Sequence, residues 1–233
     1  MKGMSTKSLP SQPLRRHRRS RAMDEGGTRT LLLEAAGTVF AECGFDRATG
    51  RAICDRASVN PAAINYHFGG MEELYLAVLI EAHQRLVTEE TLSEVAAAAF
   101  PPTDKLRIVI SYFVRAAFGA GDNAWAFRVL GREIIMPTPM FEALRVREIM
   151  PKIGHVRQIV AQLMELPEDH PAVTRSFVST MAPCMMMLIA DHEIFGNLFP
   201  RIAGGAGDGL DPLIDHLLRF ALAGLEVAKR AAM

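Results

Sequence analysis

The stretch NPAAINYHFGG, residues 60–70, groups an amide, two small residues and two hydrogen-bonding rings in a short segment. The amide of Asn65 is able to pair with adenine, and Tyr66 and His67 can donate hydrogen bonds to phosphates. The two alanines before them carry little bulk, so a helix that bears them can approach base edges closely. These residue types predict a surface that recognises double-stranded DNA.

Two short helices are expected to position these side chains. The hydroxyl of Thr49 can accept hydrogen bonds from the free amides at the start of a helix over Gly50–Ala57. Asn60 and Pro61 predict the start of a second helix. Asn60 could cap it, and proline suits its first turn because an N–H there would have no partner within the helix. The spacing predicts a helix-turn-helix whose second helix enters the major groove. The alternative is an ordinary turn and core helix with merely solvated polar side chains.

A longer helix is expected before this pair, from about Thr28 to Cys43. Its apolar face has helical spacing and consists of Leu32, Ala36, Val39 and Phe40. Gly44 follows as a stop signal. In the second short helix, Ile64 and Phe68 lie four residues apart and are expected to face inward.

Residues 29–80 resemble the N-terminal DNA-binding domain of the TetR family of bacterial transcriptional regulators. The motifs that carry the resemblance are FAECGF at residues 40–45, Thr49 and Arg51 at the second helix, and YHFG at residues 66–69. The resemblance implies that Thr49, Arg51, Tyr66 and His67 touch phosphates. It implies that Pro61, Ala62, Ala63 and Asn65 lie at the bases. Asn60, the predicted cap of their helix, is counted with these DNA-binding residues.

Two positions depart from the family pattern. Met71 stands where the family usually has a lysine at the start of the fourth helix, so one phosphate contact is expected to be missing. Ser58 stands where a glycine usually makes the turn. If that position needs a positive φ, the strain costs roughly 1 kcal/mol.

The charge distribution suggests a second DNA contact. The first 23 residues carry seven basic and no acidic side chains, whereas residues 24–75 carry four arginines and eight acids. Because phosphate neutralisation supplies much of the affinity for DNA, the acidic domain needs positive charge from elsewhere. We expect a disordered arm to track the DNA backbone or enter a minor groove through Arg15, Arg16, Arg18, Arg19 and Arg21. The alternative is a leader without consequence.

The rest of the chain has helical periodicity and no convincing alternating strand. A long helix is expected from Met71 to about Ala98, followed by helices near 103–119, 123–136, 139–164, 171–190 and 211–230. Pro151 is expected to kink or break the helix over 139–164. The segment from Trp125 to Val173 resembles the C-terminal domain of the CecR-like subfamily, especially in its RE and PTP motifs at 132–133 and 137–139.

One face of the helix near 123–136 is a candidate effector pocket. Trp125, Arg128, Arg132 and Met136 align at 100° per residue. An aromatic ring could stack on a ligand and guanidinium groups could hold its carboxylate or phosphate, with Met186 from a methionine-rich cluster as a further wall. The alternative, which we favour, is an arginine face that pairs with Glu133, Glu142 or a partner subunit.

Several other features narrow the functional class. The three cysteines lack metal-binding or redox spacing, and Asp191, His192 and Glu193 are adjacent in a helix, so neither a metal site nor a cofactor is expected. The uncharged run from Ser176 to Ala190 is too short to span a bilayer and predicts a buried helix. No signal peptide or catalytic motif is evident, so the protein is expected to be cytoplasmic and not an enzyme.

These observations predict an all-α protein with three regions. A disordered basic arm at 1–23 precedes a three-helix helix-turn-helix domain at 24–75 and a larger helical effector-binding and dimerisation domain at 76–233. Apolar stripes near 176–190 and 211–230 are expected to form a four-helix dimer interface. By resemblance, the homodimer is a repressor released from a palindromic operator by a small-molecule effector. The alternatives are control by a protein partner and an enzyme with an appended DNA-binding domain.

Overall fold

The structure, a computed structural model, describes residues 14–118, 124–190, 192–202 and 209–232. In the first helix the side chains are described from residue 26 onward, and in the helix that begins at residue 192 from residue 195 onward. All regular elements within these ranges are helical, which confirms the predicted all-α class.

Twelve α-helices and one π-helical turn follow one another in the described part of the chain. They are α1 (Leu14–Cys43), α2 (Gly50–Ala57), α3 (Ala63–Phe68), α4 (Met71–Leu86), α5 (Glu89–Ala97), α6 (Pro102–Phe118), α7 (Ala124–Ile135), α8 (Phe141–Leu144), the π-helical turn (Arg145–Ile149), α9 (Met150–Met164), α10 (Pro171–Ile189), α11 (His192–Leu198) and α12 (Asp211–Ala232).

Helices α2 and α3 form the predicted helix-turn-helix. The Thr49 hydroxyl caps α2 by accepting from the backbone N–H of Ala52 at 3.2 Å, and Asn60 Oδ1 accepts from the N–H of Ala62 at 2.8 Å. Ser58 ends α2 with φ of 55°, so this serine adopts the left-handed conformation that the family pattern assigns to glycine. Ile64 is buried against the other helices, as expected.

The first helix begins earlier than predicted. Helix α1 starts at Leu14, so the backbone of residues 14–23, which we expected to be disordered, is helical. The run from Leu14 to Cys43 contains no proline, and its first half is rich in arginine, which has a high helix propensity. Residues 1–13 lie outside the described residues.

The predicted long helix from Met71 to Ala98 is two helices. Helix α4 ends at Leu86, Val87 is extended with φ of −166°, and α5 begins after Thr88. The Thr88 hydroxyl accepts from the backbone N–H of Thr91 at 3.2 Å and so caps α5. A threonine that can cap a helix start competes with continuation of the preceding helix, which is why the break occurs here.

The helix is not broken at Pro151, because residues 141–164 remain helical, but the helix type changes just before the proline. The helix expected over 139–164 is divided into α8, the π-helical turn and α9, and the turn ends immediately before Met150 and Pro151. Because proline has no N–H to donate, the helix changes its hydrogen-bond register at this point. Helix α11 was not predicted.

Two hydrophobic cores organise the molecule, and they do not divide at residue 75. The first core contains the buried faces of α1 to α4 together with Trp125, Val129 and Leu130 of α7. The second core joins α5, α6, α9, α10 and α12, with Phe127 of α7 at its edge. Helix α7 is therefore shared between the two cores.

Helix α10 lies against α6, α7, α9 and α12. Among the residues that the structure describes, it is the one helix long and apolar enough to cross a bilayer by length and composition. The core helix of a soluble protein passes the same test, and 44% of its apolar window is buried within the protein. Its buried face includes Ser176, Thr180 and Cys184.

Candidate nucleic-acid interface

The predicted DNA-binding residues lie together on α2, α3 and the turn between them. Most are exposed: Thr49, Arg51, Asn60, Pro61, Ala62, Asn65 and Tyr66. Ala63 and His67 are partly buried. The helix-turn-helix therefore presents the amide, the small residues and the aromatic hydroxyl on its surface, whereas Ile64 anchors α3 from below.

Two side chains before α2 and α3 shape the chemistry of this surface, but only Thr49 is a cap. Helix α3 begins at Ala63, so Asn60 and Pro61 lie in the turn before it and not at its predicted cap and first turn. The Thr49 hydroxyl accepts from Ala52 N–H and retains its own O–H for donation to another group. Asn60 Oδ1 is occupied by the N–H of Ala62, so Asn60 positions the start of α3 through that bond. The Tyr66 side chain is 71% exposed, and its ring meets that of His67 edge-on at 4.9 Å.

The arginines of the DNA-binding half already have partners within the protein. Arg51 pairs with Asp55 at 3.7 Å, and Arg56 pairs with Glu42 at 3.1 Å. Arg29 lies over the Phe68 ring at 4.9 Å, and Arg47 Nε donates to the carbonyl of Cys43 at 3.1 Å. The Arg51 pair is highly exposed, so it contributes little and can exchange for a phosphate.

Met71 packs into the domain. It is partly buried against the first core, and its Sδ lies 3.6 Å from the position that a Cβ on Gly50 would occupy. The exposed carboxylates of Glu72 and Glu73 follow it in the first turn of α4. This end of α4 therefore offers acidic groups where the family pattern has a lysine.

The contact between α7 and the DNA-binding half is built around Trp125. A Cβ on Gly37 of α1 would lie 2.5 Å from Trp125 Cδ2 and Cε3, so only glycine allows this approach. The indole Nε1 donates to Glu34 Oε2 at 2.9 Å, and the Arg85 guanidinium lies 4.8 Å above the ring. Arg85 also forms an ion pair with Glu34 and another with Glu81 at 2.9 Å.

The Glu34 carboxylate at this contact is held in its charged form. Burial raises the pKa of Glu34, but hydrogen bonds from Arg85 and Trp125 outweigh that effect and leave the pKa below its ordinary value. One carboxylate therefore joins α1, α4 and α7 through charge-assisted hydrogen bonds.

A second polar contact joins α4 to the end of α7. The Tyr75 hydroxyl donates to Glu133 Oε2 at 2.8 Å, and Glu133 Oε1 accepts from both the N–H and the hydroxyl of Thr138 at 2.8 Å. Glu133 is 1% exposed, and the Tyr75 ring packs edge-on against Phe40 at 4.7 Å. Burial and then the Glu133 carboxylate raise the pKa of Tyr75 far above its ordinary value, so the phenol remains protonated.

The C-terminal half of α4 is held by a third polar cluster. The Lys152 ammonium donates to His83 Nδ1 at 2.9 Å and to Glu148 Oε2 at 2.8 Å. Burial is the main cause that lowers the pKa of His83, and the Lys152 charge lowers it further, to about 4. This imidazole is therefore neutral at pH 7. The cluster ties α4 to the π-helical turn and to α9.

The candidate effector pocket on α7 is not assembled as predicted. Trp125 is buried against α1, and Arg132 Nη2 donates to the backbone carbonyl of Glu42 at 3.3 Å. Arg128 is exposed, as are Met136 and Met186, which are 77% and 59% exposed. Trp125, Arg128 and Arg132 lie on α7 and Met136 follows its last residue, but packing directs Trp125 and Arg132 toward the DNA-binding half. The favoured arginine partners were also wrong in part, because Arg145 is the partner of Glu142.

A cavity of about 170 Å³ lies elsewhere in the helical domain. It lies between α6, α10 and the α11 region, and it is lined by Phe118, Met187, Phe195, Gly196, Phe199, Pro200 and Ile202. Met187 belongs to the methionine-rich cluster, which consists of Met181, Met185, Met186 and Met187. None of the five predicted pocket residues lines this cavity. The sequence pattern that belongs to this cavity is Phe195 and Phe199, four residues apart, in a region that was not predicted to be helical.

Two family models match the chain. Residues 102–225 match a model described as the C-terminal domain of the HTH-type transcriptional dual regulator CecR, and residues 32–78 match one described as bacterial regulatory proteins, tetR family. The first match covers more than half of the chain. A relative, the HTH-type transcriptional regulator UidR of Escherichia coli K12, is 27% identical over 158 residues, which are 66% of this chain and 75% of UidR.

Solved structures show the same fold. A TetR-like transcriptional regulator from Rhodococcus sp. RHA1 superposes with a TM-score of 0.62 at 17% identity, over 85% of this chain and 96% of that one. The transcriptional regulator FadR from Bacillus subtilis, solved in complex with stearoyl-CoA, has a TM-score of 0.62 at 17% identity, over 84% and 98% of the two chains. At these identities the likeness establishes the fold alone.

The contact between Gly37 and Trp125 predicts a specific sensitivity. A Gly37→Ala substitution places a methyl group 2.5 Å from the indole, so the free energy of unfolding should fall by about 1 to 3 kcal/mol. Trp125 is the one tryptophan of the chain, so its fluorescence should shift as the ring moves. Urea unfolding and fluorescence spectra measure both effects.

Gly26→Ala is the matched control for that experiment. Gly26 lies in the same helix, and a Cβ there meets no atom within 4 Å, so the substitution should be neutral or slightly stabilising. Equal stability and equal Trp125 spectra in the two variants would show that α7 does not pack on α1 as described.

Proposed function

The chain belongs to the TetR family of bacterial regulators and has a CecR-type C-terminal domain, and on this basis we propose a ligand-responsive repressor that binds a palindromic operator as a homodimer. The observation that carries the proposal is the exposed polar face of the helix-turn-helix. A cytoplasmic location accords with that role. The matched families are regulators, and we propose no catalytic activity.

The residues of the helix-turn-helix divide into two roles in this proposal. Asn65 contacts base edges from α3, and the small side chains of Pro61, Ala62 and Ala63 allow the helix to approach the floor of the major groove. Thr49, Arg51, Tyr66 and His67 contact phosphates and fix the register of the helix. Exposure of Thr49, Arg51, Asn65 and Tyr66 supports this division.

The N-terminal basic segment supplies the remaining phosphate contacts in this proposal. The DNA-binding half is acidic, and its four arginines are engaged by Asp55, Glu42, the Phe68 ring and a backbone carbonyl. Phosphate neutralisation by Arg15, Arg16, Arg18, Arg19 and Arg21 compensates for this deficit. Their side chains lie outside the described residues.

An uncovered apolar surface on α10 and α12 supports a dimer. On α12, Phe220 and Val227 are 72% and 68% exposed, with the small residues Ala223 and Gly224 also exposed between them. Val178 and Met186 are exposed on α10, which packs beside α12. Two helices from each protomer then form a four-helix interface. A twofold dimer requires operator half-sites about 34 to 36 Å apart, or a multiple of that spacing.

A small-molecule effector is favoured by the solved relatives. FadR from Bacillus subtilis, which shares the fold, was solved in complex with stearoyl-CoA. In our proposal the effector binds the C-terminal domain and prefers a conformation in which the two recognition helices no longer match the half-site spacing. A coupling of about 1 to 3 kcal/mol between effector and operator is typical of such a switch. Repression is the family's usual mode.

Operator recognition is tested by selecting bound fragments from a random DNA pool. The full-length protein should enrich a palindrome, and Asn65→Ala should weaken binding to it by about 1 to 3 kcal/mol because the amide no longer pairs with a base. Asn197→Ala, an exposed position on α11, serves as the control and should bind as the unmodified protein does. Enrichment of no sequence by the unmodified protein would contradict specific recognition.

The contribution of the basic segment is tested by salt dependence. Replacement of its five arginines by glutamine should weaken operator binding. It should also flatten the slope of log K against log salt concentration by about 0.9 for each phosphate that is no longer neutralised. Deletion of residues 1–22 should have the same effect. Equal losses in the two variants would show that the charge of the segment, and not its length, supports binding. An unchanged slope in both would show that the segment does not touch DNA.

The dimer interface is tested by placing a charge on α12. Phe220→Glu puts a carboxylate in the apolar patch and should convert the dimer to a 25.6 kDa monomer in sedimentation velocity at about 10 μM, since burying an unpaired charge is costly. Phe100→Glu is the control, because Phe100 is also exposed but lies before α6. Monomers in both variants, or dimers in both, would contradict this assignment.

A further inference from the structure

The cavity between α6, α10 and the α11 region has a distinctive wall. The seven described residues that line it are uncharged, and three of them are phenylalanines: Phe118, Phe195 and Phe199. Met187 contributes a flexible thioether side chain from α10. An apolar wall of this kind gains by burying apolar ligand surface, whereas a carboxylate or phosphate would find no compensating charge on these side chains.

The size of the cavity limits what it can hold. Its volume is about 170 Å³, and it is partly open to solvent at Gly196, Phe199 and Pro200, which are exposed. For scale, a closed apolar protein cavity of about 150 Å³ holds one benzene ring. One aromatic ring or a short alkyl chain therefore fits. A ligand larger than this can be accommodated only by displacement of wall residues, of which Met187 is the most adaptable.

The cavity is connected by direct packing to the helix that holds the DNA-binding half. Ile189 lies two residues after Met187 on α10, and it packs closely against Gly131 of α7. A Cβ on Gly131 would lie 3.3 Å from Ile189 Cβ and 3.4 Å from its Cα. Two residues farther along α7, Glu133 accepts the hydrogen bond from Tyr75. Because this contact is tight, a displacement of the end of α10 should displace α7 as well.

We propose that this cavity is the effector site, that its ligand is an uncharged molecule with an aromatic or short alkyl group, and that occupancy is transmitted to α7 through Ile189 and Gly131. The proposal rests on the proposed function, because it names the ligand class and the route of control. Trp125 lies on α7 at the contact with α1, so the single tryptophan of the chain reports on the element that must move.

The probes for the test are 1-hexanol, indole and hexanoate with the full-length protein at pH 7.5. Thermal unfolding of the protein without DNA measures binding to the folded state. At ten times their dissociation constants, 1-hexanol and indole should raise the melting temperature by about 3 to 5 °C. Hexanoate matches the alcohol in chain length but carries a charge, and it should not raise the melting temperature.

Transmission is measured with two further readouts. Addition of 1-hexanol should shift the emission of Trp125, and saturation should weaken binding to the selected operator about tenfold. Indole is fluorescent and is therefore used only in the melting and operator-binding experiments.

A variant that fills the cavity locates the site. Gly196 lines the cavity, and a Cβ there meets no atom within 4 Å, so Gly196→Leu should weaken 1-hexanol binding at least tenfold. Gly154→Leu on α9 is the matched control, since a Cβ at Gly154 also meets nothing within 4 Å, and it should bind as the unmodified protein does. If the Gly196→Leu protein lacks the helical circular-dichroism spectrum, Gly196→Ala should show the same weakening on a smaller scale.

The outcomes separate this inference from the proposed function. Selection of an operator without any shift of the melting temperature by 1-hexanol or indole overturns the inference and leaves the regulator intact. Equal binding by the Gly196 and Gly154 variants places the ligand elsewhere and also overturns it. Binding without a change at Trp125 and without operator release overturns the transmission route. If no operator is selected, the proposed function fails, whereas the melting and fluorescence results still decide the site.

Discussion

The contact between Trp125 and Gly37 is the constraint on which the arrangement of the two halves depends. Because Gly37 has no Cβ, α7 can approach α1 closely enough to bury the Trp125 ring. Any Cβ at that position would clash with the indole. The same ring then brings its Nε1 to Glu34 and stacks beneath Arg85. Close backbone approach thus creates the site in which one carboxylate joins three helices.

The consequence is that buried contacts join the DNA-binding half to α7. The Tyr75 to Glu133 bond is buried and involves a protonated phenol and a carboxylate that also holds the loop after α7 through Thr138. Removing one partner of such a bond leaves a buried polar group unpaired, which costs more than the bond itself contributes. Direct contacts therefore connect α1 and α4 to α7, and α7 to α10 through Gly131.

Charge imposes a different constraint on the surface that faces DNA. Acids outnumber arginines in this half, and each arginine already contacts a carboxylate, a ring or a carbonyl. Besides Arg51, whose exposed pair with Asp55 can exchange for a phosphate, α2 and α3 offer mainly hydroxyl and amide groups. Such groups select partners by geometry more than by long-range attraction. In the proposed function, the affinity that depends on bulk electrostatics is supplied by the arginine-rich start of the chain.

The sequence by itself determined the local elements of this protein. The cap at Thr49 and the stop at Gly44 were predictable because they depend on hydrogen bonds and steric limits within a few residues. The helix-turn-helix and its exposed residues were predictable for the same reason. Helical spacing also placed Trp125, Arg128, Arg132 and Met136 on one face, but it contained no information about what that face meets. Only the tertiary structure decided that Trp125 belongs to a domain contact with Gly37 and that the cavity lies beside α11, because packing joins residues whose separation in sequence has no periodic signature.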